Sequence, residues 1–174
     1  PGYLLRCITA WAGDRGHAAA PSQNITYLSC HDDWTLWDKL VCTLDPQRDF
    51  AGRDERILRA NRLAFAILAA CQGHLFLLSG EEFGRTKQGV KNSYNAPMTI
   101  NRMDWQRCWQ NRELVEYYRG LIALRKQLPA LRDKSAGAGA RVLTIRQKGE
   151  NAAAILLNND ADSQYPELLL AFNA

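Results

Sequence analysis

Two stretches of the chain repeat apolar residues at helical spacing. Between Arg53 and Gln72 the apolar positions recur every three or four residues, acidic residues occupy the first turn, and Gly73 follows the end. The same spacing runs from Glu113 to about Leu128, where Pro129 cannot continue a helix. The pattern therefore predicts two long amphipathic helices.

A different pattern precedes each of these helices. Asn24 to Cys30 is rich in β-branched and aromatic residues, which predicts a strand. His74 to Ser79 is a continuous apolar run, typical of a parallel strand covered on both faces. A short helix is predicted through Thr35 to Leu40, with Asp32 or Asp33 as its N-cap. Alternating strands and helices indicate βα units, whose functional residues lie at the carboxyl ends of the strands.

The last forty or so residues have a third pattern. Ser135 to Gly139 is rich in small residues and indicates a joint. Arg141 to Arg146 and Ala153 to Leu157 predict two strands of a hairpin, with a turn at Lys148 to Asn151. Glu167 to Phe172 predicts a third strand. The chain therefore ends in the beginning of a small antiparallel β domain.

Composition narrows the class of protein. With 174 residues, 47% hydrophobic and 23% charged, the chain can form one sizeable domain, or one domain and part of another. The 22 basic and 18 acidic residues are scattered, and no basic stripe suggests a nucleic-acid partner. The longest apolar stretch, Leu63 to Cys71, is shorter than the roughly 18 residues of a membrane span. We therefore expect neither a nucleic-acid nor a membrane partner.

The five cysteines are odd in number, widely separated, and without a C-x-x-C pair. This spacing predicts reduced thiols rather than a disulfide framework or a zinc site, and it favours a cytoplasmic compartment. Pro1 stands where an initiator methionine would, and no signal sequence follows it, so we expect that the native N-terminus lies upstream.

Candidate chemistry begins at His31, Asp32 and Asp33, at the end of the first predicted strand. In a structural interpretation, one aspartate caps the next helix and the histidine satisfies a buried carbonyl group. A metal site would need further ligands, and His17 and His74 have no motif around them. In a carbohydrate site, an ionised aspartate stabilises an oxocarbenium-like transition state while the imidazole binds sugar hydroxyls.

Neighbouring residues favour the carbohydrate interpretation. Flat apolar faces that suit sugar rings are offered by Trp34, Trp37, Phe83 and Tyr94. Partners for hydroxyl groups are offered by Arg85, Asn92 and Asn95. Both sets lie close to the predicted strand ends or in the long predicted loop from Gly80 to Asn111.

Several linked motifs carry a resemblance to a known family. The region between Asn24 and Arg132 resembles the last third of the catalytic barrel of type I pullulanases and related glycogen-debranching enzymes. The motifs that carry the resemblance are YLSCHDDWTLWDKL, CQGHLFLLSGEEFGRTKQGVKNSYNAP with INRMDW, and EYYRGLIALRKQLPALR. These are retaining glycoside hydrolases of the alpha-amylase superfamily. The resemblance implies an α/β fold, in which residues 1–132 form about the last two βα units of a (β/α)8 TIM barrel and residues 133–174 begin a C-terminal antiparallel β-sandwich domain.

The same resemblance implies roles for individual residues. Asp32 matches the aspartate that stabilises the transition state, and His31 would contact hydroxyl groups of the same sugar ring. The implied substrate-binding residues are Trp34, Glu82, Arg85, Asn92, Tyr94 and Asn95. No metal and no cofactor is implied, and the expected substrate is an α-glucan such as pullulan, glycogen, starch or a limit dextrin.

The chain departs from the family pattern at two positions. Asp33 stands where the family has asparagine, and Met98 stands where an acid commonly follows the proline. The motifs F-R-x-D and G-E-x-W, which carry the nucleophile and the acid/base in the family, do not occur in the 174 residues. We therefore expect that the chain is a piece of a longer enzyme that cleaves α-1,6 linkages. We expect the piece to be inactive by itself. The alternatives are a non-catalytic glucan-binding module and metal-dependent hydrolysis through His31 and Asp32.

Overall fold

The computed structural model describes residues 2–12, 18–149 and 151–173, which form helices, a short parallel strand pair and an antiparallel sheet. The helices are α1 Gly2–Ile8, α2 Leu36–Leu44, α3 Glu55–Ala70, α4 Met98–Asn101, α5 Trp105–Gln110 and α6 Arg112–Gln127. The strands are β1 Ile25–Thr26, β2 His74–Leu75, β3 Val142–Lys148, β4 Ala152–Asn158 and β5 Glu167–Asn173. In this described part of the chain, no helix is both long and apolar enough to span a membrane.

These elements divide into two compact units. The first unit contains the described residues up to Thr26, residues 66–75, and those from Leu121 onward. The second unit contains Tyr27–Phe65 and Phe76–Gly120. The sequence-based division after residue 132 stays a prediction.

An antiparallel sheet in the order β3-β4-β5 dominates the first unit. In β4, Ile155 pairs with Ile145 of β3 and Leu170 of β5. Ile155 and Leu157 are fully buried, whereas Leu169 of β5 is 70% exposed, so the sheet has one apolar face against the core. The buried cluster consists of Ile8, Ala70, Cys71, Leu128, Ala130, Leu131, Ile155 and Leu157. The three predicted strands are present here, and the predicted turn between the first two includes Glu150, outside the described residues.

One arginine joins separate backbone segments of the first unit. The Arg125 guanidinium donates to the carbonyl oxygens of Ala69 at 3.0 Å, Cys71 at 2.5 Å and Gly73 at 2.9 Å, and it also contacts that of Leu131. Carbonyl groups at a helix end lack partners within the helix. Arg125 therefore supplies hydrogen-bond donors to the carbonyl groups at the end of α3 and in the segment leading into β2. Burial lowers the Arg125 pKa to about 10.

The predicted parallel strands are shorter than the sequence suggested. Each strand contributes only two residues to the pairing, in which Ile25 lies opposite His74 and Thr26 lies opposite Leu75. Beyond them the backbone bonds to side chains: Lys39 Nζ donates to the Leu28 carbonyl at 2.8 Å, and the Leu78 N–H donates to Glu81 Oε2 at 3.1 Å. The predicted extents to Cys30 and Ser79 are therefore wrong.

In the second unit, helix α2 begins at a residue other than the predicted cap. Thr35 Oγ1 accepts the Asp38 N–H at 3.1 Å, so Thr35 is the N-cap and neither Asp32 nor Asp33 takes that role. Asp33 has a φ of 61°, a left-handed conformation that aspartate and asparagine tolerate better than other non-glycine residues. This turn separates the two aspartates from the helix.

The long helices confirm the sequence pattern. Within the second unit, the rings of Phe65 on α3 and Tyr118 on α6 stack with centroids 3.6 Å apart. The Tyr118 hydroxyl donates to Asn61 Oδ1 at 2.7 Å, and burial raises the Tyr118 pKa. These contacts join the two helices through a buried, hydrogen-bonded aromatic pair.

The segment predicted as a loop between Gly80 and Asn111 contains α4, α5 and a 3-10 turn at Glu81–Phe83. Arg107 of α5 donates through Nε to the Gly84 carbonyl at 2.6 Å and lies 4.3 Å above the ring of Trp37. Gly84 has a φ of 70°, and a Cβ there would approach the Trp37 ring to 2.5 Å. Only glycine fits at this close approach.

Candidate functional site

A cavity of about 270 Å³ lies in the second unit, where several polar loop residues converge. It is lined by His31, Asp32, Leu78, Arg85, Lys87, Asn92, Ser93, Tyr94 and Asn101. Five of these, His31, Asp32, Arg85, Asn92 and Tyr94, are among the residues that the sequence singled out. Trp34, Glu82 and Asn95 do not line it. Trp37 and Phe83 do not line it either, and the prediction that they offer faces to sugar rings is wrong because both side chains are buried in the core.

His31 and Asp32 form the acidic side of this cavity. His31 Nε2 lies 3.3 Å from Asp32 Oδ2, and the side chains are 84% and 77% exposed. An exposed carboxylate keeps its lone pairs available for a ligand or a developing positive charge. The pair is thus accessible from solvent and not buried beneath the loop.

Lys87 lies behind this pair and holds its backbone. The residue is 4% exposed, and Nζ donates to the His31 carbonyl oxygen at 2.7 Å. Burial lowers the Lys87 pKa, and the positive charge of Arg85 lowers it further, whereas Asp38 and Asp32 act in the opposite direction. Lys87 was assigned no role from the sequence, although it lies within the quoted motif CQGHLFLLSGEEFGRTKQGVKNSYNAP.

Asp38 fixes the segment that carries Lys87. This carboxylate is completely buried in α2, where it accepts the Lys87 N–H at 2.9 Å and the Thr86 hydroxyl. A buried carboxylate requires such partners because its charge is otherwise costly to remove from water. Sequence reasoning missed Asp38; its signal was an acid in the otherwise apolar face of TLWDKL.

Arg85 forms another part of the cavity wall. It donates through Nη1 to the Ser79 carbonyl at 3.2 Å and through Nη2 to the Asn101 carbonyl at 2.5 Å. Asn101 in turn donates to the Ser93 carbonyl at 2.6 Å. Burial lowers the Arg85 pKa, and its buried Nε has no hydrogen-bond partner among the described residues. Arg85 therefore ties three loop segments together beside the cavity.

The predicted site residues outside the lining have other contacts. Trp34 Nε1 donates to the Gly89 carbonyl at 2.8 Å, and Lys91 Nζ lies 4.3 Å above its ring. Glu82 Oε2 accepts the Gly80 N–H at 2.9 Å. Asn95 is exposed. A direct role in ligand binding stays a prediction for these three residues.

Glu81 is the most strongly perturbed acid near the cavity. It is 3% exposed, and burial raises its pKa to about 7, although the Leu78 N–H and the charge of Lys39 lower it. Glu81 does not line the cavity, so this perturbation concerns the stability of the loop rather than a reacting group.

One group of metal-ligating side chains occurs among the described residues. Cys30, His31 and Asp32 each offer a donor atom, and these atoms lie within 4.8 Å of one another. Cys30, like the other four cysteines, is a free thiol.

The sequence has relatives among known proteins. No family model matches the chain. A pullulanase from Bacillus subtilis (strain 168) is 39% identical over 155 residues, which are 88% of this chain and 21% of that protein. The chain is a homologue of the pullulanases. Pullulanase 1, chloroplastic, from Arabidopsis thaliana is 32% identical over 127 residues, and a glycogen debranching enzyme from Salmonella typhi is 28% identical over 141 residues.

Solved pullulanase structures extend the similarity to the fold. The type I pullulanase of Bacillus subtilis, crystallised with maltose, matches 99% of this chain with a TM-score of 0.86 and 36% identity. The Bacillus acidopullulyticus pullulanase has the same TM-score at 31% identity. The chain covers 24% and 20% of these two structures. It thus spans between about a fifth and a quarter of the length of these Bacillus pullulanases.

Proposed function

We propose that this chain is the C-terminal part of the catalytic region of a longer enzyme that hydrolyses α-1,6-glucosidic branch linkages in pullulan, glycogen, starch or limit dextrin. The observation that carries the proposal is the similarity to pullulanases along nearly the whole chain, in both sequence and fold. Two of the similar structures hold maltose or maltotetraose, which favours an α-glucan as the ligand of this chain.

The proposal includes the arrangement of domains. Residues 1–132 would contribute about the last two βα units of a (β/α)8 barrel, and residues 133–174 would begin a C-terminal β domain. The parallel pairing of β1 with β2 is the pairing expected of βα units, and the later strands form an antiparallel sheet of their own, although all five strands lie in the same compact unit. Functional residues of such barrels lie after the carboxyl ends of the strands, and the positions of His31 after β1 and Arg85 after β2 in the chain support the proposal.

Asp32 would stabilise the positive charge that develops on the sugar ring in the transition state. That role requires a carboxylate that reaches the substrate, and the 77% exposure of the Asp32 side chain supports it. His31, 3.3 Å away, would bind hydroxyl groups of the same ring. Lys87 would act as a positioning residue, because its bond to the His31 carbonyl fixes the backbone from which both side chains project.

The cavity wall would recognise neighbouring sugars. Arg85 and Asn92 would bind hydroxyl groups, and Tyr94, 83% exposed, would offer an aromatic face. Trp34, Glu82 and Asn95 would contribute from the adjoining loops.

Retaining hydrolysis also needs a nucleophile and an acid/base about 5 Å apart. The family motifs for both do not occur in the 174 residues, so we propose that the chain turns over nothing by itself.

Assays of the full-length gene product and of the 174-residue chain test this proposal. The full-length protein should release reducing ends from pullulan, and the purified chain should not. In the full-length protein, Asp32→Asn should lower kcat by at least about a hundredfold. Asp33→Asn, the matched control on the neighbouring acid, should stay within about twofold of the parent. A full-length protein that leaves pullulan intact would refute the proposed activity.

A second candidate is a glucan-binding module without catalysis, because residues of the second unit alone line the cavity. Calorimetry with maltotriose tests it on the 174-residue chain. Binding should weaken in Arg85→Ala and stay unchanged in the control Arg119→Ala, whose side chain is exposed on α6. Saccharide binding by the chain, combined with a catalytically inert full-length protein, would favour this candidate over the hydrolase.

A further inference from the structure

We propose that Cys30, His31 and Asp32 form a binding site for a thiophilic divalent cation such as Zn²⁺, and that a bound cation blocks the saccharide cavity. The first half of this proposal concerns metal binding alone. The blocking of the cavity by the cation rests on the proposed function, because it requires that a saccharide binds there.

The distances between the donor atoms suit a zinc ion. Zinc lies about 2.0 to 2.3 Å from nitrogen, oxygen and sulfur ligands, so tetrahedral ligands are roughly 3.3 to 3.8 Å from one another. His31 Nε2 and Asp32 Oδ2 are already 3.3 Å apart, and all three donors lie within 4.8 Å. A closure of roughly 1 Å, which the exposed His31 and Asp32 side chains can make toward the half-buried Cys30 thiol, completes a three-ligand set.

The backbone explains why three consecutive residues converge. Cys30 Sγ donates to the Asp32 carbonyl oxygen at 3.7 Å, so the chain folds back and brings the thiol toward residue 32. Lys87 anchors the segment through the His31 carbonyl at 2.7 Å and leaves the imidazole and carboxylate unobstructed. The 84% and 77% exposure of those side chains leaves room for water as a fourth ligand.

The chemistry of the donors selects the class of cation. A thiolate and an imidazole favour Zn²⁺ over Mg²⁺ or Ca²⁺, which prefer sets of oxygen ligands. On binding, the Cys30 thiol releases its proton to solvent as the sulfur–metal bond forms. The thiolate and the Asp32 carboxylate together balance the two charges of the cation. Lys87 and Arg85 line the same cavity and oppose the cation, which limits its affinity.

Occupancy of this site would change the cavity. His31 and Asp32 both line it, and a cation would engage the imidazole nitrogen and carboxylate oxygen assigned above to the sugar ring. A ligated carboxylate also has less negative charge to offer a developing oxocarbenium ion. Zn²⁺ and saccharide should therefore compete.

Titration of ZnCl₂ into the reduced 174-residue chain, followed by calorimetry, tests the metal site directly. We expect one ion per chain, and Cys30→Ser should weaken binding at least about tenfold because a hydroxyl is a poor zinc ligand. Cys108→Ser is the matched control and should bind as the parent does. Circular dichroism of each variant verifies that it is folded.

Cobalt gives an independent reading of the sulfur ligand. The Co²⁺-loaded parent and Cys108→Ser should show a sulfur-to-cobalt charge-transfer band, and Cys30→Ser should lack it. Equal Zn²⁺ affinity in folded parent and Cys30→Ser, or no binding by the parent, would overturn the site.

Inhibition of the full-length enzyme tests the second half. Zn²⁺ should inhibit pullulan hydrolysis, and Cys30→Ser should keep the uninhibited rate while needing at least about tenfold more Zn²⁺ for half inhibition. Hydrolysis insensitive to Zn²⁺, in a protein that binds the ion, would overturn the blocking step. A protein that binds Zn²⁺ but never cleaves pullulan would instead refute the proposed function and leave the metal site standing.

Discussion

The sheet of the first unit and the cavity loops of the second unit are fixed by different kinds of contact. In the first, the sheet β3-β4-β5 and the ends of three helices bury a continuous apolar cluster. In the second, the loops around the cavity are fixed by buried polar side chains that bond to backbone groups. Asp38 accepts the Lys87 N–H, Arg107 donates to the Gly84 carbonyl, and Asn111 donates to the Phe83 carbonyl at 3.0 Å.

This difference follows from what each unit must do. A sheet satisfies its own amides and carbonyls, so its residues need only place apolar side chains on one face. A cavity built from irregular loops leaves backbone groups without such partners, and buried polar side chains must supply them. Substitutions should therefore affect stability in the first unit, and both stability and ligand binding in the second.

The largest effect is expected in the apolar cluster. Leu157→Ala should lower the free energy of unfolding by about 4 kcal/mol, because this fully buried side chain leaves a cavity. Urea denaturation measures the loss. Leu169→Ala, on the neighbouring strand and 70% exposed, is the control and should change stability by less than about 0.5 kcal/mol. Similar losses in both variants would contradict the one-sided core.

Glu81 should make the second unit sensitive to pH. Its pKa of about 7 in the folded protein lies above the ordinary 4.5, so the folded state binds a proton more tightly than the unfolded state. The stabilisation is fully present below pH 4.5 and is lost as the pH rises through about 7. Between about pH 5 and pH 8 the parent should lose stability on the order of 3 kcal/mol more than Glu81→Gln does.

Urea denaturation at both pH values checks this prediction. Glutamine keeps an oxygen for the Leu78 N–H but carries no charge to bury. The control Glu167→Gln alters an exposed acid of β5 and should retain the parent's pH dependence. Parallel pH profiles for the parent and Glu81→Gln would show that Glu81 does not carry the effect.

Asp38 is the sharpest test of the comparison, because it joins stability to the cavity. Asp38→Asn should reduce the free energy of unfolding by about 2 kcal/mol, since an amide NH₂ group replaces one of two carboxylate oxygens that each accept a hydrogen bond. Maltotriose binding should weaken as well, because Lys87 loses its backbone anchor. Denaturation and calorimetry measure the two effects, and Asp162→Asn is the control because it alters an acid far along the chain in the first unit. If Asp38→Asn is destabilised but binds maltotriose as the parent does, the bond between Asp38 and the Lys87 N–H is not needed for ligand binding in the cavity.

The smallest effect concerns the turn after Asp32. Asp33→Val should cost about 1 to 2 kcal/mol, because a β-branched residue is strained at a φ of 61°. Asp33→Asn should be nearly neutral, because asparagine tolerates this conformation. Thermal or urea unfolding distinguishes the two variants. If Asp33→Val leaves the protein as stable as the parent, the left-handed turn is contradicted.

Much of the regular structure could be predicted from the sequence. The helices α3 and α6 and the strands β3, β4 and β5 lie where apolar periodicity placed them, because burial on one face enforces that periodicity. The strand before His31 and the cap of α2 were mispredicted. The strand ends early because the Lys39 side chain bonds to the Leu28 carbonyl oxygen, and the helix cap is displaced because Asp33 has a left-handed backbone conformation. Neither feature can be predicted from hydrophobic periodicity.

The candidate site was predictable in part for a similar reason. His31, Asp32 and Arg85 belong to quoted motifs and line one cavity in the structure. Lys87 and Asp38 were missed because their roles depend on partners 56 and 49 residues away in the chain. Residue type indicates which side chains suit a sugar, but not which buried ones hold the loop in place.

Arg125 has a consequence for how the protein opens locally. Its guanidinium contacts the Ala69, Cys71, Gly73 and Leu131 carbonyl oxygens together, so detaching any one of these segments leaves part of the guanidinium without a partner and weakens the hold on the rest. Backbone amides in this region should therefore exchange with deuterium as one cooperative block. In Arg125→Ala the block should divide, with the segment around Gly73 exchanging faster than the body of α3.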